Sequence, residues 1–276
     1  VFDTMDAKQK RCFHGLIVSH WGLEAVESVV CETAEFAALY SRTRGSNRFV
    51  CLCRIFDLLA ARPEVARAGV ALPRLTALRR LVASGRPLGH PTLEAAIAES
   101  GDAELVSLLE WSQAVNRCIA EKVVDVPPFE DAREGLEAAA RCCDLMVVSQ
   151  TPYEALAREW AGAGLDGLVF AIAGQERGTK AEQIAMAAEG RYEPRRVLMV
   201  GDAIGDLDAA RARGACFFPI CPRRETASWQ RFRQEALGRF LDGDYAGPYE
   251  DARVAEFEAL LPSEPTWERN AERLKR

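Results

Sequence analysis

The stretch RVLMVGDAIGDLDAARARGACFFPI, residues 196–220, decides the fold class. In it, the apolar run RVLMVGD (196–202) precedes the helical pattern DLDAARARG, and a second apolar run, ACFFPI (215–220), follows. Short apolar runs that alternate with helices are typical of buried parallel strands joined by helical crossovers. The stretch therefore predicts a β-α-β unit of an α/β fold.

Two further apolar runs precede this unit. They are DLMVVS (144–149) and GLVFAIA (167–173), and each is followed by a helical pattern, PYEALAREWAGAG and KAEQIAMAAEG respectively. This alternation predicts a doubly wound, Rossmann-like parallel sheet with helices on both faces. Because the crossovers are right-handed, the carboxyl ends of all the strands are expected at one edge of the sheet.

The rest of the chain is predicted to be helical. Residues 13–126 carry apolar residues at three- and four-residue spacing, and no segment there is typical of a strand. After Cys221, SWQRFRQEALGRFLDG and YEDARVAEFEALLP indicate two amphipathic helices. The predicted domains are an α/β core (1–12 and 127–221, with a truncated first strand), a helical insertion (13–126) and a helical extension (222–276). The extension is expected to pack on the core or on a second copy, as in a homodimer.

Composition narrows the possible partners and the cellular location. A net charge of −6 over 276 residues argues against nucleic acid as a partner. No run of eighteen apolar residues occurs, so no membrane span is expected, and no signal peptide is visible. Nine cysteines without the spacing of a zinc site predict reduced thiols, and hence a cytoplasmic protein.

Polar residues follow the predicted strands. Asp3 ends VFD, Ser149 ends LMVVS, and Asp202 and Asp206 follow VLMV; Lys180 begins the helix after GLVFAIA. Ligands of open parallel sheets bind at the carboxyl ends of the strands. Carboxylates crowded there need a cation, and oxygen ligands suit Mg²⁺. With cations present, a carboxylate can attack a phosphoryl group.

The residues around Ser149 and Lys180 can also be explained by helix capping alone. Thr151 and Glu154 are spaced as a capping box for the helix after Ser149, and Thr179 and Glu182 are spaced as one around Lys180. A cation in the first turn of a helix is disfavoured by the helix dipole, which hints at another use for Lys180.

The order of these residues resembles that of the haloacid dehalogenase-like (HAD) hydrolase superfamily. Its motifs are a strand ending in a nucleophilic Asp, a strand ending in Ser or Thr, a Lys, and a strand followed by paired acids. They match VFD (1–3), LMVVS (145–149), GTK (178–180) and VLMVGDAIGD (197–206). The helical block at 13–126 resembles the cap that the superfamily inserts after the first motif.

The resemblance implies a Mg²⁺-dependent hydrolase of a small phosphorylated or otherwise anionic metabolite. Asp3 would form an aspartyl-phosphate, with Ser149 and Lys180 holding the phosphoryl group. The metal ligands that it implies are Asp3, the carbonyl of Met5, Asp202 and Asp206.

The resemblance also points to residues that would contact the substrate. Thr4 and Gln150 directly follow the nucleophile and the serine. Arg44 and Arg48, in YSRTRGSNRF (40–49), are expected to contact an anionic group of the substrate from the cap.

The first motif departs from the superfamily pattern. Phosphatases of the superfamily carry a general acid two residues after the nucleophile, where this chain has Met5, and methionine cannot transfer a proton. The acid is therefore Asp6, another residue such as His14, or absent. The alternatives to a phosphatase are a phosphonate-cleaving enzyme and an inactive HAD-like binding or regulatory module.

Overall fold

The computed structural model describes residues 1–267. The chain is mostly helical with a few short parallel strands, an α/β-like organisation. Its contacts divide it into two compact units. The strand unit contains residues 1–3 and 125–262, and the helical unit contains residues 4–124 and the described residues from 263 onward. Within residues 1–267, every helix is too short or too polar to cross a membrane.

Residues 4–124 of the helical unit form eight α-helices, a π-helical turn and a 3-10 turn. They are α1 (Thr4–Lys8), the π-helical turn (Gln9–Phe13), α2 (His14–Trp21), the 3-10 turn (Glu24–Val26), α3 (Glu27–Leu39), α4 (Arg48–Ala60), α5 (Pro63–Ala68), α6 (Thr76–Ala83), α7 (His90–Ser100) and α8 (Ala103–Lys122). Residues 4–124 are all described and contain no strand, so the prediction of helices is confirmed there.

Local signals set several of these helix ends. The Asn47 side chain accepts a hydrogen bond from the backbone N–H of Phe49 (3.0 Å) and caps α4. Asp102 caps α8 in the same way, accepting from Glu104 N at 2.8 Å. Gly101 ends α7 at a positive φ of 63°. The apolar faces of these helices enclose one core, in which the ring of Trp111 is 1% exposed.

The strand unit contains four strands and seven α-helices. They are α9 (Ala132–Ala140), β1 (Met146–Val148), α10 (Tyr153–Gly162), β2 (Ala171–Ala173), α11 (Lys180–Ala188), β3 (Leu198–Gly201), α12 (Ile204–Ala212), β4 (Cys216–Pro219), α13 (Glu225–Arg231), α14 (Leu237–Asp242) and α15 (Pro248–Ala259). Short 3-10 turns cover Asp166–Leu168, Gln175–Arg177 and Pro194–Arg196, and a π-helical turn covers Phe232–Ala236.

The strands form two parallel pairs. β1 pairs with β2, with Val147 opposite Ile172, and β3 pairs with β4, with Met199 opposite Phe217. The parallel pairing is confirmed, but two separate pairs are fewer strands than a doubly wound sheet contains. The predicted first strand is only an isolated antiparallel bridge between Phe2 and Pro128.

Helices cover both faces of the β3–β4 pair. On one face, Cys216 and Phe218 pack in a cluster with Trp229 of α13. On the other face, Phe217 packs in a second cluster with Phe257 of α15. The alternation along β4 follows from the two-residue period of a strand. Two helices that follow β4 in the chain, α13 and α15, thus cover the two apolar faces of this pair of strands.

The segment after Cys221 belongs to both units. Residues 222–262 are part of the strand unit, and the residues from 263 onward group with the helical unit, where Arg54 pairs with Glu264 at 2.8 Å. The helical unit begins at residue 4, whereas the sequence predicts a boundary at 13. Residues 268–276 of the predicted extension lie outside the described residues.

Candidate functional site

An ion pair joins the helices that follow β2 and β3. Lys180, the first residue of α11, donates a hydrogen bond from Nζ to Oδ1 of Asp206, in the first turn of α12. The side chain of Asp206 is 3% exposed and that of Lys180 is 22% exposed. Two residues predicted for the site, separated by 26 positions in the sequence, are therefore in direct contact.

Asp206 also organises the loop after β3. Its Oδ2 accepts hydrogen bonds from the backbone N–H groups of Asp202 (3.0 Å) and Ala203 (3.1 Å). Gly201, the last residue of β3, makes room for this arrangement, because a Cβ there would lie 2.5 Å from Cβ of Asp206. Both oxygens of Asp206 thus have protein donors, so this carboxylate positions Lys180 and Asp202.

The environment of Lys180 keeps it charged. Burial alone lowers the pKa of this ammonium group. The charge of Asp206, the hydrogen bond to it and the charge of Asp202 outweigh burial, so that the pKa of Lys180 is raised above its ordinary value of 10.5. Lys180 is therefore positively charged at neutral pH, and the negative charge of Asp202 helps to keep its pKa raised.

Ser149 directly follows β1. Its backbone N–H donates to the carbonyl of Ala173 (3.0 Å), which extends the β1–β2 pairing by one hydrogen bond. Its Oγ accepts a hydrogen bond from the backbone N–H of Thr151 at 3.1 Å. The Ser149 hydroxyl still has its own proton to donate to a ligand oxygen.

Gln183 links Ser149 to the helix that carries Lys180. Its side chain is fully buried, and Nε2 lies near the carbonyls of Ser149 (3.2 Å), Gly174 (2.8 Å) and Gly178 (3.1 Å). Gln183 is not among the site residues predicted from the sequence. The signal for it is a polar side chain three positions after Lys180, on the same face of α11.

Gln150 also contacts the turn before α11. Its exposed Nε2 donates to the carbonyl of Gly178 at 2.9 Å. The contact of Gln150 with a substrate stays a prediction.

The capping box predicted around Lys180 is confirmed. Thr179 Oγ1 accepts from Glu182 N at 3.3 Å, and Glu182 Oε2 accepts from Thr179 N at 2.7 Å. The box predicted at Thr151 is wrong, because α10 begins after Pro152 without a side-chain cap. The carboxylate of Glu176 accepts from Tyr153 N instead, at 3.2 Å.

Asp3 is exposed on the strand unit. The residues before it are anchored there. The carbonyl of Val1 accepts from Phe129 N at 2.9 Å, and the ring of Phe2 lies edge-on to Trp160 with 5.9 Å between centroids. Val1 also packs against the cluster that contains Phe218 of β4. The anchoring holds Asp3 at the surface, and its role as nucleophile stays a prediction.

Thr4, Met5 and Asp6 belong to α1 of the helical unit. The side chain of Met5 packs against the core of that unit. Asp6 Oδ2 pairs with Lys10 one helical turn later, at 2.9 Å, and Oδ1 is buried without a hydrogen-bond partner. The predicted roles of Thr4 in substrate binding, of the Met5 carbonyl in metal binding and of Asp6 as acid stay predictions.

His14, the other candidate for the missing acid, is buried in the helical unit. Burial lowers the pKa of its imidazole, although the charge of Glu35 acts against this. A neutral imidazole at neutral pH is a weak source of a proton for a leaving group.

Arg44 and Arg48 both have partners within the helical unit. Arg44 is buried, and its Nη1 donates to the carbonyl of Leu39 at 2.9 Å, near the end of α3. Arg48 Nη1 donates to Oγ of Ser112 (3.0 Å) and to Oδ1 of Asn116 (2.7 Å). Burial lowers the pKa of Arg48 to about 10. Contact of either arginine with a substrate stays a prediction.

Some oxygen donors of the strand unit are of the type that Mg²⁺ prefers, and some are already engaged. Asp3 and Asp202 offer carboxylates, the ligand type that this ion prefers. Asp206 has both oxygens engaged by Lys180 and by backbone amides. As the side chains stand in residues 1–267, no group of three or more His, Cys, Asp and Glu is arranged to hold a metal ion. The donor types fit Mg²⁺, and the predicted ligand role of Asp206 would require it to release a present partner.

Comparison of the chain with protein-family models, with curated proteins and with solved structures gives no match.

Proposed function

We propose that the protein is a Mg²⁺-dependent hydrolase of small phosphate monoesters, built on a HAD-like doubly wound core with residues 4–124 as its cap. The observation that supports this most is the ion pair between Lys180 and Asp206, tied through Asp206 Oδ2 to the N–H of Asp202. A fixed ammonium group beside carboxylates, at the ends of parallel strands, suits an anionic ligand whose charge has to be neutralised.

Three residues of the strand unit have separate roles in binding the phosphoryl group. Lys180 holds the negative oxygens of a phosphoryl group, since its raised pKa keeps it protonated. The Ser149 hydroxyl donates a hydrogen bond to one of these oxygens. Gln183 fixes the backbone at Ser149 and Gly178, so that the hydroxyl and the ammonium group keep one relative position.

The reaction proceeds in two displacements. An oxygen of the Asp3 carboxylate forms a bond to phosphorus while the bond from phosphorus to the ester oxygen breaks, and the ester oxygen leaves with the bonding pair as an alkoxide or phenoxide anion, which takes a proton from water. Water then attacks the aspartyl-phosphate, which releases inorganic phosphate and restores the carboxylate of Asp3. Mg²⁺, held by Asp3 and Asp202, would supply positive charge that lets a carboxylate approach a phosphate.

The leaving alcohol lacks an obvious proton donor in the first motif. Met5 has no proton to give, and the Asp6 carboxylate is paired with Lys10 one helical turn later. We therefore expect aryl phosphates, whose leaving groups depart as stable anions, to react faster than alkyl phosphates.

Turnover of p-nitrophenyl phosphate, with MgCl₂ and with a chelator, tests the proposal. Wild-type protein should hydrolyse it only with Mg²⁺. Asp3→Asn should be inactive and should keep the melting temperature of the wild type in the absence of Mg²⁺. Hydrolysis that persists in the Asp3→Asn variant would reject Asp3 as the nucleophile.

A second candidate is a module that binds an anion without turning it over. The packing of Met5 in an apolar core and the pairing of Asp6 with Lys10 favour it, because both positions then serve stability alone. Inorganic phosphate that raises the melting temperature of a protein without hydrolytic activity would support this second function.

A further inference from the structure

Two cysteines of the helical unit lie against each other. Cys12 is in the π-helical turn after α1, and Cys118 is in α8, 106 positions later. Their Sγ atoms are 2.6 Å apart, with Cys118 donating to Cys12. Cys118 Sγ also lies 3.6 Å from the carbonyl of Arg11. All nine cysteines are free thiols in this structure.

The surroundings give a small oxidant access to this pair. Both cysteines line a cleft of about 350 Å³ in the helical unit. Arg11, Arg117 and Lys122 line the same cleft. The reactive form of a cysteine toward a peroxide is the thiolate.

The two thiols differ in exposure and reactivity. Cys12 is 1% exposed, whereas Cys118 is partly exposed. Burial, and then the hydrogen bond from Cys118, raise the pKa of Cys12 to about 12. Cys12 therefore stays protonated at neutral pH, and Cys118 is the one that meets an oxidant first.

We propose that Cys12 and Cys118 form a reversible disulfide when the protein meets a hydroperoxide. The Cys118 thiolate attacks one oxygen of the peroxide, the O–O bond breaks, and Cys118 becomes a sulfenic acid as the other oxygen leaves as water or an alcohol. Cys12 then attacks this sulfur, and the sulfenic oxygen leaves as water. A dithiol reductant returns both thiols.

The bond would join the beginning of the helical unit to its end. Cys12 follows α1, with which residues 4–124 begin, and Cys118 lies in the last turns of α8, with which they end. A cross-link that closes so long a loop restricts the unfolded chain strongly. The oxidised protein should therefore be the more stable form.

The test treats the full chain with hydrogen peroxide and maps its cysteines by mass spectrometry without reduction. We expect a peptide cross-link between Cys12 and Cys118 that dithiothreitol removes. We also expect the melting temperature of the oxidised protein to rise by at least about 5 °C. Cys118→Ser should lose the cross-link and the rise, and the matched variant Cys31→Ser, from the same unit, should keep both.

Three results would overturn the proposal. One is peroxide treatment that takes Cys118 to a sulfinic acid without cross-linking it to Cys12. Another is a disulfide that joins other cysteines first. The third is a rise in melting temperature that survives in Cys118→Ser. Because mapping of the wild type needs no variant, a folding defect in Cys118→Ser does not affect the first two readouts.

Discussion

Lys180 Nζ and Asp206 Oδ1 form an ion pair whose carboxylate end is almost completely buried. The pair joins the start of α11 to the start of α12, the helices that follow β2 and β3. Removing one partner of a buried pair leaves a charge without compensation.

The first prediction replaces the ammonium group. Lys180→Met should lower the free energy of unfolding by roughly 2–4 kcal/mol, because Asp206 keeps its charge and loses one donor. The control is Lys10→Met, since Lys10 is 46% exposed and its partner Asp6 is 25% exposed, compared with 3% for Asp206. That control should cost less than about 0.5 kcal/mol.

The contribution of Lys180 to stability should also depend on pH. The pKa of Lys180 is raised in the folded protein, so its stabilisation is fully present below the ordinary value of 10.5 and is lost as the pH rises through the folded pKa. The difference in unfolding free energy between wild type and Lys180→Met should therefore be constant from pH 7 to about pH 10 and shrink above it. A difference that grows in that alkaline range would contradict this interpretation.

The second prediction tests the space at Gly201. In Gly201→Ala, the new Cβ would meet Cβ and Oδ2 of Asp206 at 2.5 Å, so Asp206 must move away from the amides that it caps. We expect a loss of about 2–4 kcal/mol, measured by chemical denaturation. Gly205→Ala is the control, because a Cβ at Gly205, in α12, meets nothing within 4 Å. This control should be neutral or stabilising by up to about 1 kcal/mol.

The third prediction concerns Gln183. Gln183→Leu keeps the apolar bulk and removes the donor shared by the carbonyls of Ser149, Gly174 and Gly178. It should cost roughly 1–3 kcal/mol and, on the proposed function, raise the KM for phosphate esters. Gln150→Leu removes a single exposed hydrogen bond to Gly178 and should change stability by less than about 0.5 kcal/mol. Equal effects of the two variants would remove Gln183 as a positioning residue.

Contacts between neighbouring residues were predictable from the sequence, whereas contacts between residues far apart in the chain were not. The capping box of Thr179 and Glu182 is a local pattern of four residues, and it was predictable. The bond from Gln183 to Ser149 spans 34 positions, and the position of Gln183 three residues after Lys180 indicates its face of α11 but not this partner. Tyr153 illustrates the same limit, because its N–H is taken by Glu176, 23 positions away, and not by the predicted local cap.

The strands were predicted in the right order and too long. GLVFAIA (167–173) yields a strand only at Ala171–Ala173, because Asp166–Leu168 form a 3-10 turn. An apolar run in the sequence favours burial of a segment, whereas the length of a strand depends on its hydrogen bonds to a neighbouring strand. The strand predicted at the first motif is absent for the same reason. Phe2 forms an isolated bridge with Pro128 and pairs with no parallel strand among the described residues.

The fourth prediction concerns Asp6. Since its carboxylate pairs with Lys10 within the same helix, we expect Asp6 to stabilise α1 and to take no part in the departure of the leaving group. Asp6→Asn should then change the hydrolysis of aryl and alkyl phosphates by less than about threefold, whereas loss of a general acid costs about 10²–10⁴-fold. The measurement is the steady-state rate of the wild type and of Asp6→Asn with an aryl phosphate and with an alkyl phosphate. A large loss confined to alkyl phosphates would assign the acid role to Asp6.

The most direct test of the central claim is the capture of a phosphoryl group on Asp3. Wild-type protein is mixed with p-nitrophenyl phosphate and Mg²⁺, quenched in acid within the first turnover and digested, and the amino-terminal peptide is analysed by mass spectrometry. We expect this peptide to carry one phosphoryl group, sodium borohydride to convert Asp3 to homoserine, and both signals to vanish in Asp3→Asn and without Mg²⁺. Mg²⁺-dependent release of p-nitrophenol with an unmodified Asp3, or a phosphoryl group on a different residue, would contradict it.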